Sequence, residues 1–409
     1  MKKIYVLALV GALLTQIACK KKSNDPAPIP TAADSATYYK QKVVDNYATI
    51  VYATYDDSWI AANTLKVSAQ AFVDAPSAAG LEAVKTAYIN ARIPYIQSEA
   101  FRFASGPIDD DRGLEGYLNS WPLDESYIDY TQASAGATVM ETGIINDPKD
   151  FPVIDKDMLI NNNATAGDED ISCGYHAVEF LLWGQDFYAT GPGERPYTDY
   201  LLTADSTASN PKRRGQYLLA CIDLIIDNLA TLKEDWKTGS SNNYRASFVA
   251  SADASIGNFL TGSYRYANGE LSVERMQVAL DNADPGMGDG LGQEHEQSCF
   301  SDQTHNDIIL GQRGISNVYM GRYIRIDGST VIDGYGLDDL VQRAKATVNT
   351  NTLAAVRTAT ADAAAIPPPF DQAILHTDSR MLVQNAIDAL HAEAAQFVLA
   401  GATLGLIIN

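Results

Sequence analysis

Cysteine is scarce in this 409-residue chain, four in all, and no two of them form a CxxC pair, which argues against a structural zinc site built from thiolates. Basic residues are under-represented as well: 30 Lys and Arg face 51 Asp and Glu, a formal net charge of −21. A surface of that sign repels phosphate backbones and has few counterions to release, so nucleic acid is not expected as a partner. Beyond residue 14 no apolar run approaches the roughly 18 residues needed to cross a bilayer. Sustained alternation of β-branched and polar residues is missing, so any sheet is expected to be minor. Nucleophile elbow, Walker loop and dinucleotide fingerprint are missing too.

What is present is apolar material for one large or two ordinary globular domains: 46% hydrophobic and only 20% charged residues. The first residues have a different character. Met1-Lys2-Lys3, the apolar stretch Ile4 to Leu14, then Ala18-Cys19 and three lysines look like a bacterial secretory signal ending at a lipid-attachment cysteine. Gln16 departs from the aliphatic residue usual three places before such a cysteine. The expectation is a signal peptide at 1–18, lipidation at Cys19, and a tether over 19–33 stiffened by Pro26, Pro28 and Pro30. The destination is then the cell envelope, lipid-anchored and facing the periplasm or the cell surface, with the membrane as a partner through the anchor. Disulfides can form there. Cys221 reads as a buried helical residue, whereas Cys173 and Cys299 have more polar, loop-like neighbours, and a Cys173–Cys299 bridge is slightly favoured over none.

Helical periodicity dominates the remainder. Leu218, Ile222, Ile225, Leu229, Leu232 and Trp236 trace one stripe of a long helix over 213–236, and such a stripe needs a bundle to cover it. The spans 35–72, 78–103, 247–266, 337–364 and 379–406 read as helical too. Leu81-Glu82-Ala83-Val84-Lys85-Thr86-Ala87 is echoed by Leu353-Ala354-Ala355-Val356-Arg357-Thr358-Ala359, and each is followed by Ile-Pro, at Ile93-Pro94 and Ile366-Pro367. The fold class expected is all-α, with two related helical halves, 34–210 and 211–409, parted at the polar run before Pro211. Two irregular stretches, 106–174 and 282–314, interrupt the helices, and long irregular segments in compact domains are more often functional than idle.

The run from Gly174 to Asp186 carries the most chemical information. His176 and Glu179 stand three apart on a helix, so they share one face and can share a cation or a proton. An imidazole with a carboxylate suits zinc or iron better than calcium. Gly174, Tyr175, His176, Glu179 and the following Phe-Leu-Leu-Trp-Gly-Gln-Asp resemble the GxHxxE segment of the imelysin-like family of exported bacterial proteins. Further similar segments are Glu99-Ala100-Phe101-Arg102-Phe103, Gly106-Pro107-Ile108-Asp109, Leu118 to Asp124, Gln293 to Glu296, Ser298 to His305 and Pro369-Phe370-Asp371.

The resemblance implies two related four-helix bundles and a site near their junction around the GxHxxE residues. It also implies an iron connection, since the family includes iron-regulated members and relatives of iron-uptake lipoproteins, and it was named for a metallopeptidase. The leading expectation is a lipoprotein that binds iron, or an iron-bearing ligand, for uptake, alongside iron-transport components. His176, Glu179, Glu99, Asp302 and His305 are the candidate metal donors; Arg102, Tyr175 and Ser301 are candidate ligand contacts. The enzymatic alternative is a zinc-dependent peptidase with Glu179 as ligand or base. Neither His-Glu-x-x-His nor His-x-x-Glu-His is present, because Phe180 follows Glu179 and Gln297 to Cys299 follow His295-Glu296. A third alternative is a non-catalytic lipoprotein that binds other proteins. Blander roles compete residue by residue: helix capping or ion pairing for His305, a solvated salt bridge for His295, an i, i+3 pair with Glu99 for Arg102, and surface or core positions for His376 and His391.

Overall fold

A computed structural model describes residues 32–409. The signal peptide, Cys19 and nearly all of the tether expected from sequence lie outside the described residues. The fold is all-α. Helix α1 (Ala32–Asp74) ends at Pro76, which cannot continue it, and Ser77 starts α2 (Ala78–Ser98) by accepting the Gly80 N–H on its side-chain oxygen at 3.1 Å. The short α3 (Tyr175–Trp183) carries the GxHxxE residues, and α4 (Pro211–Trp236) begins with Pro211 in the first turn. Next come α5 (Ala252–Arg265), running on through a π-helical stretch, Tyr266–Gln277, then α6 (Thr304–Met320), α7 (Leu337–Ala365) and α8 (Thr377–Thr403). Between α6 and α7 two three-residue strands, β1 (Arg322–Ile324) and β2 (Val331–Asp333), pair antiparallel with Tyr323 opposite Ile332.

Two groups of helices result. In the first, α1 packs along α2 and α4, with α3 against α2 and α4; in the second, α8 packs along α7 and against α5 and its π-helical continuation, and α6 lies on α7. The seam between the groups is α2 against α6, where Gly314 is required because a Cβ there would lie 2.4 Å from the Gln97 carbonyl oxygen. The stripe read from sequence on α4, Leu218 through Trp236, is buried throughout.

Several expectations need correction. The sequence reading had no helix over Thr304–Met320, because its start falls in the polar stretch expected to be irregular. The 247–266 helix is broken at Ser251 into Tyr244–Ala250 and α5. Helix α4, assigned to the second half, packs on α1 with the first group. The echoed segments lie in α2 and α7, where Pro94 sits inside its helix while Pro367 follows the end of its own. Cys173, Cys221 and Cys299 are free and buried, not bridged. Cys173 instead directs its thiol at Asn163 Oδ1, 3.4 Å away, and burial pushes its pKa up to about 12.

The irregular stretch 106–174 is held by charge as well as by apolar packing. Asp129, fully buried, accepts from Arg214 at 2.6 and 2.9 Å and from Arg195 at 2.8 Å, tying this segment to α4 and to the loop after α3. Such a buried triad is sensitive to loss of any member, since the remaining charges would be left uncompensated.

Candidate functional site

Helix α3 is brought to the seam by its two flanking glycines. Gly174 has φ +93° and approaches the chain so closely that a Cβ would lie 2.9 Å from the Leu118 carbonyl oxygen; Gly184, at φ +75°, ends the helix. Every residue of α3 is buried, including both polar ones.

His176 and Glu179 meet as their spacing requires, Nδ1 lying 2.9 Å from Oε2. Tyr88 of α2 donates its hydroxyl to the same oxygen at 3.3 Å, and Ser301 donates both N–H and O–H to Oε1 at 3.1 and 2.5 Å. A carboxylate offers about four lone-pair sites. Here all four are taken, from both sides of the seam. Burial pushes the Glu179 carboxyl up to about 7, against the pull of Ser301 and Arg92, and burial, then Arg92, holds His176 well below its ordinary value, so the ring is neutral. With Glu179 ionised, Nδ1 carries the proton and donates it. Nε2 is then a bare acceptor, buried and without a partner among the described residues.

Arg92 of α2 extends the network. It donates to Asn119 Oδ1 and, at 2.8 Å, to Asp307 Oδ2 of α6, which also accepts from the Ser298 hydroxyl at 2.7 Å. The Arg92 guanidinium lies 5.3 Å from the ring centre of Tyr175, whose hydroxyl is buried and unpartnered. The indole of Trp121 stands 5.0 Å from the His176 ring and also lines a cavity of about 540 Å³. Arg102, Arg275, Glu115, Glu270, Glu274 and Glu294 also line that cavity.

The candidate residues from sequence therefore fall into three places. His176, Glu179, Ser301 and Tyr175 come together at the seam. Glu99 and Arg102 belong to a charged cluster beside the cavity, Arg102 lining it and Glu99 buried behind: Arg102 is 3.0 Å from Glu115 and 3.6 Å from Glu99, so Glu115, not the i, i+3 partner, is its nearest carboxylate. Burial, partly offset by Arg102 and reinforced by Glu115, pushes Glu99 up to about 7. Asp302 and His305 sit on the loop and first turn leading into α6, next to Ser301. Asp302 has φ +54° and is raised to about 7 by burial and by Asp371; His305 is lowered by burial. His295 pairs with Asp289 at 2.9 Å on the surface, the blander of its two roles.

The five-donor metal set is not assembled. Among the described residues no three His, Cys, Asp or Glu side chains gather closely enough to hold a metal ion, and the lone pairs of Glu179 are already committed to hydrogen-bond donors. A resident metal at the His176–Glu179 pair does not fit this arrangement.

Tyr88, Arg92, Asn119 and Asp307 were missed by the sequence reading. Arg92 did carry a signal: it lies on the stripe Leu81, Val84, Tyr88, Ala91, Tyr95 that α2 buries, where an unpaired guanidinium would be prohibitive. Asp307 carried none: a helix start was weighed only as a capping role for His305, and the span that follows was not read as helical.

Comparison with known proteins gives a consistent result. A family model described as Peptidase_M75, imelysin, matches residues 51–397. The iron-regulated protein A of Synechococcus elongatus is 26% identical over 281 residues, which is 68% of this chain; the match spans 63% of the length of that relative. Two crystal structures share the fold. One is of a Parabacteroides distasonis chain described as an iron-regulated protein A precursor (17% identity, TM-score 0.69, covering 90% of this chain and 95% of that one). The other is an imelysin-like protein from Psychrobacter arcticum 273-4 (13% identity, TM-score 0.62, covering 91% and 98%).

Proposed function

We propose that this chain, which belongs to the imelysin family, is an exported envelope protein that captures a small iron-bearing complex as cargo in the charged cavity behind Trp121, in the service of iron uptake. The observation that carries this reading is the saturated Glu179. A carboxylate bound by Tyr88, His176 and twice by Ser301 is a device for fixing the seam between the two helix groups, and it leaves the neutral His176 ring oriented against Trp121 at the back of the cavity. His176 and Glu179 are thus orienting groups rather than metal ligands. The cavity wall supplies both signs of charge, Arg102 and Arg275 against Glu115, Glu270, Glu274 and Glu294, which suits a polar complex with anionic oxygens and a cationic centre. The iron-regulated names of its relatives support an iron-linked role. Lipidation at Cys19 would hold the protein at the membrane.

The zinc-peptidase reading finds less support. A catalytic zinc needs about three protein ligands and an open position, and the lone pairs of the ionised Glu179 are each engaged by a donor, so service as a zinc ligand would cost it one of those hydrogen bonds.

The test is calorimetric titration with ferric citrate and with ferrous ion of wild type, Glu270→Gln and His176→Ala, with circular dichroism confirming the fold of each. Saturable binding by wild type, weakened at least about tenfold in Glu270→Gln and measurably in His176→Ala, is the expected result. Absence of binding with either iron form, or affinity unchanged in both variants, overturns the proposal.

A further inference from the structure

On the far side of the Arg92–Asp307 pair the seam opens into a second cavity, of about 1110 Å³, between α2, α6, α7 and β1. Its character is opposite to the first. Its walls are mostly apolar, and four large apolar side chains that line it, Ile93, Met320, Ile324 and Ile326, are each more than a third exposed. The sequence makes this wall by period two: Arg322 and Ile324 face outward on β1 while Tyr323 between them is buried, donating to Asp57 at 2.8 Å. Apolar residues gathered on one concave surface and left open mark a ligand site more often than a defect.

Charge identifies the ligand class. In a protein with a net charge of −21, Arg313 of α6 and Arg357 of α7 both line this cavity. Neither makes an ion pair or hydrogen bond among the described residues, whereas the two neighbouring arginines are occupied, Arg325 by Asp56 and Asp57 and Arg322 by Asp333. We propose that this cavity binds a free amphipathic anion: one long apolar chain or body against the wall that Pro94, Val356 and Ala361 help to line, ended by a carboxylate that Arg313 and Arg357 receive. An Arg guanidinium suits a carboxylate because its planar fork can donate two parallel hydrogen bonds. The cavity volume, about 1110 Å³, slightly exceeds the range for small-ligand sites, about 300–1,000 Å³, so a chain of ten to a dozen or so carbons is accommodated with room to spare.

The experiment uses the purified protein with decanoate, dodecanoate and, as a neutral control, 1-decanol, followed by calorimetry below micelle-forming concentrations. Two variants accompany it: the double substitution Arg313→Ala with Arg357→Ala, and Ala361→Phe, which fills the chamber from an exposed position and leaves the core alone. Expected are one-site binding, about fourfold tighter per added methylene, at least about tenfold weaker binding in the double variant, and none in Ala361→Phe. The proposal is overturned if neither chain binds, if 1-decanol binds as tightly as decanoate, or if Ala361→Phe binds dodecanoate like wild type. It is equally overturned if wild type self-associates at micromolar concentration and Ala361→Phe does not, which would make the occupant a second copy.

Discussion

Replacing Glu179 by Gln tests the electrostatic reading of the seam through the pH dependence of stability. A glutamate ordinarily titrates near 4.5; burial holds this one at about 7. Between those values the native protein keeps a proton that the unfolded chain has released, so stability falls as pH rises through the window. A carboxyl moved that far forfeits up to about 3 kcal/mol by pH 7.5 relative to pH 4.5. Glutamine keeps the shape, can still accept from Ser301, and does not titrate. Glu99 and Asp302 are held near 7 and Glu393 near 8, and they contribute with the same sign; Glu99 and Glu393 are common to both proteins and cancel in the difference, while Asp302, which the Glu179 charge helps to raise, shifts slightly downward in the variant. Urea unfolding followed by circular dichroism at steps from pH 4.5 to 8 should therefore show Glu179→Gln gaining on wild type by up to about 3 kcal/mol as pH rises. The offset at pH 4.5 reports only the altered hydrogen bonds. A difference that stays flat within about 0.5 kcal/mol across the range would show that Glu179 titrates as an ordinary carboxyl and would refute the account of the site.

Three other outcomes are expected. Asp129→Ala leaves Arg195 and Arg214 buried without their shared carboxylate, and should lower stability by about 3–5 kcal/mol in urea titration. Gly174→Ala must adopt φ +93° and place a methyl against the Leu118 carbonyl, so it should cost about 1–3 kcal/mol or more, with its melting temperature falling correspondingly. In a chain begun after Cys19, Ellman's reagent should find no reactive thiol in the native protein and three after unfolding, because Cys173, Cys221 and Cys299 are buried and free.

The amphipathic stripes of α1, α2, α4, α7 and α8 were legible because one face of each is apolar at helical period, a property local to the chain. The pair His176 and Glu179 was legible for the same reason: three residues along a helix is a fixed distance whatever surrounds it. Everything that gives the pair its meaning depends on residues far away in sequence. Ser301 lies 122 residues from Glu179, and Asp307 lies 215 from Arg92; no periodicity links them. Helix α6, which carries Asp307 to the seam and has Ser301 on the loop just before it, begins in a polar stretch that by itself favours turns, and its helical form is decided by burial against α2 and α7. Sequence alone determined that this is an all-helical protein with a His–Glu face in an imelysin-like frame. Only the tertiary structure decided that the carboxylate of that face is filled by hydrogen-bond donors from two helix groups, because lone pairs are claimed by whatever packing brings within 3 Å.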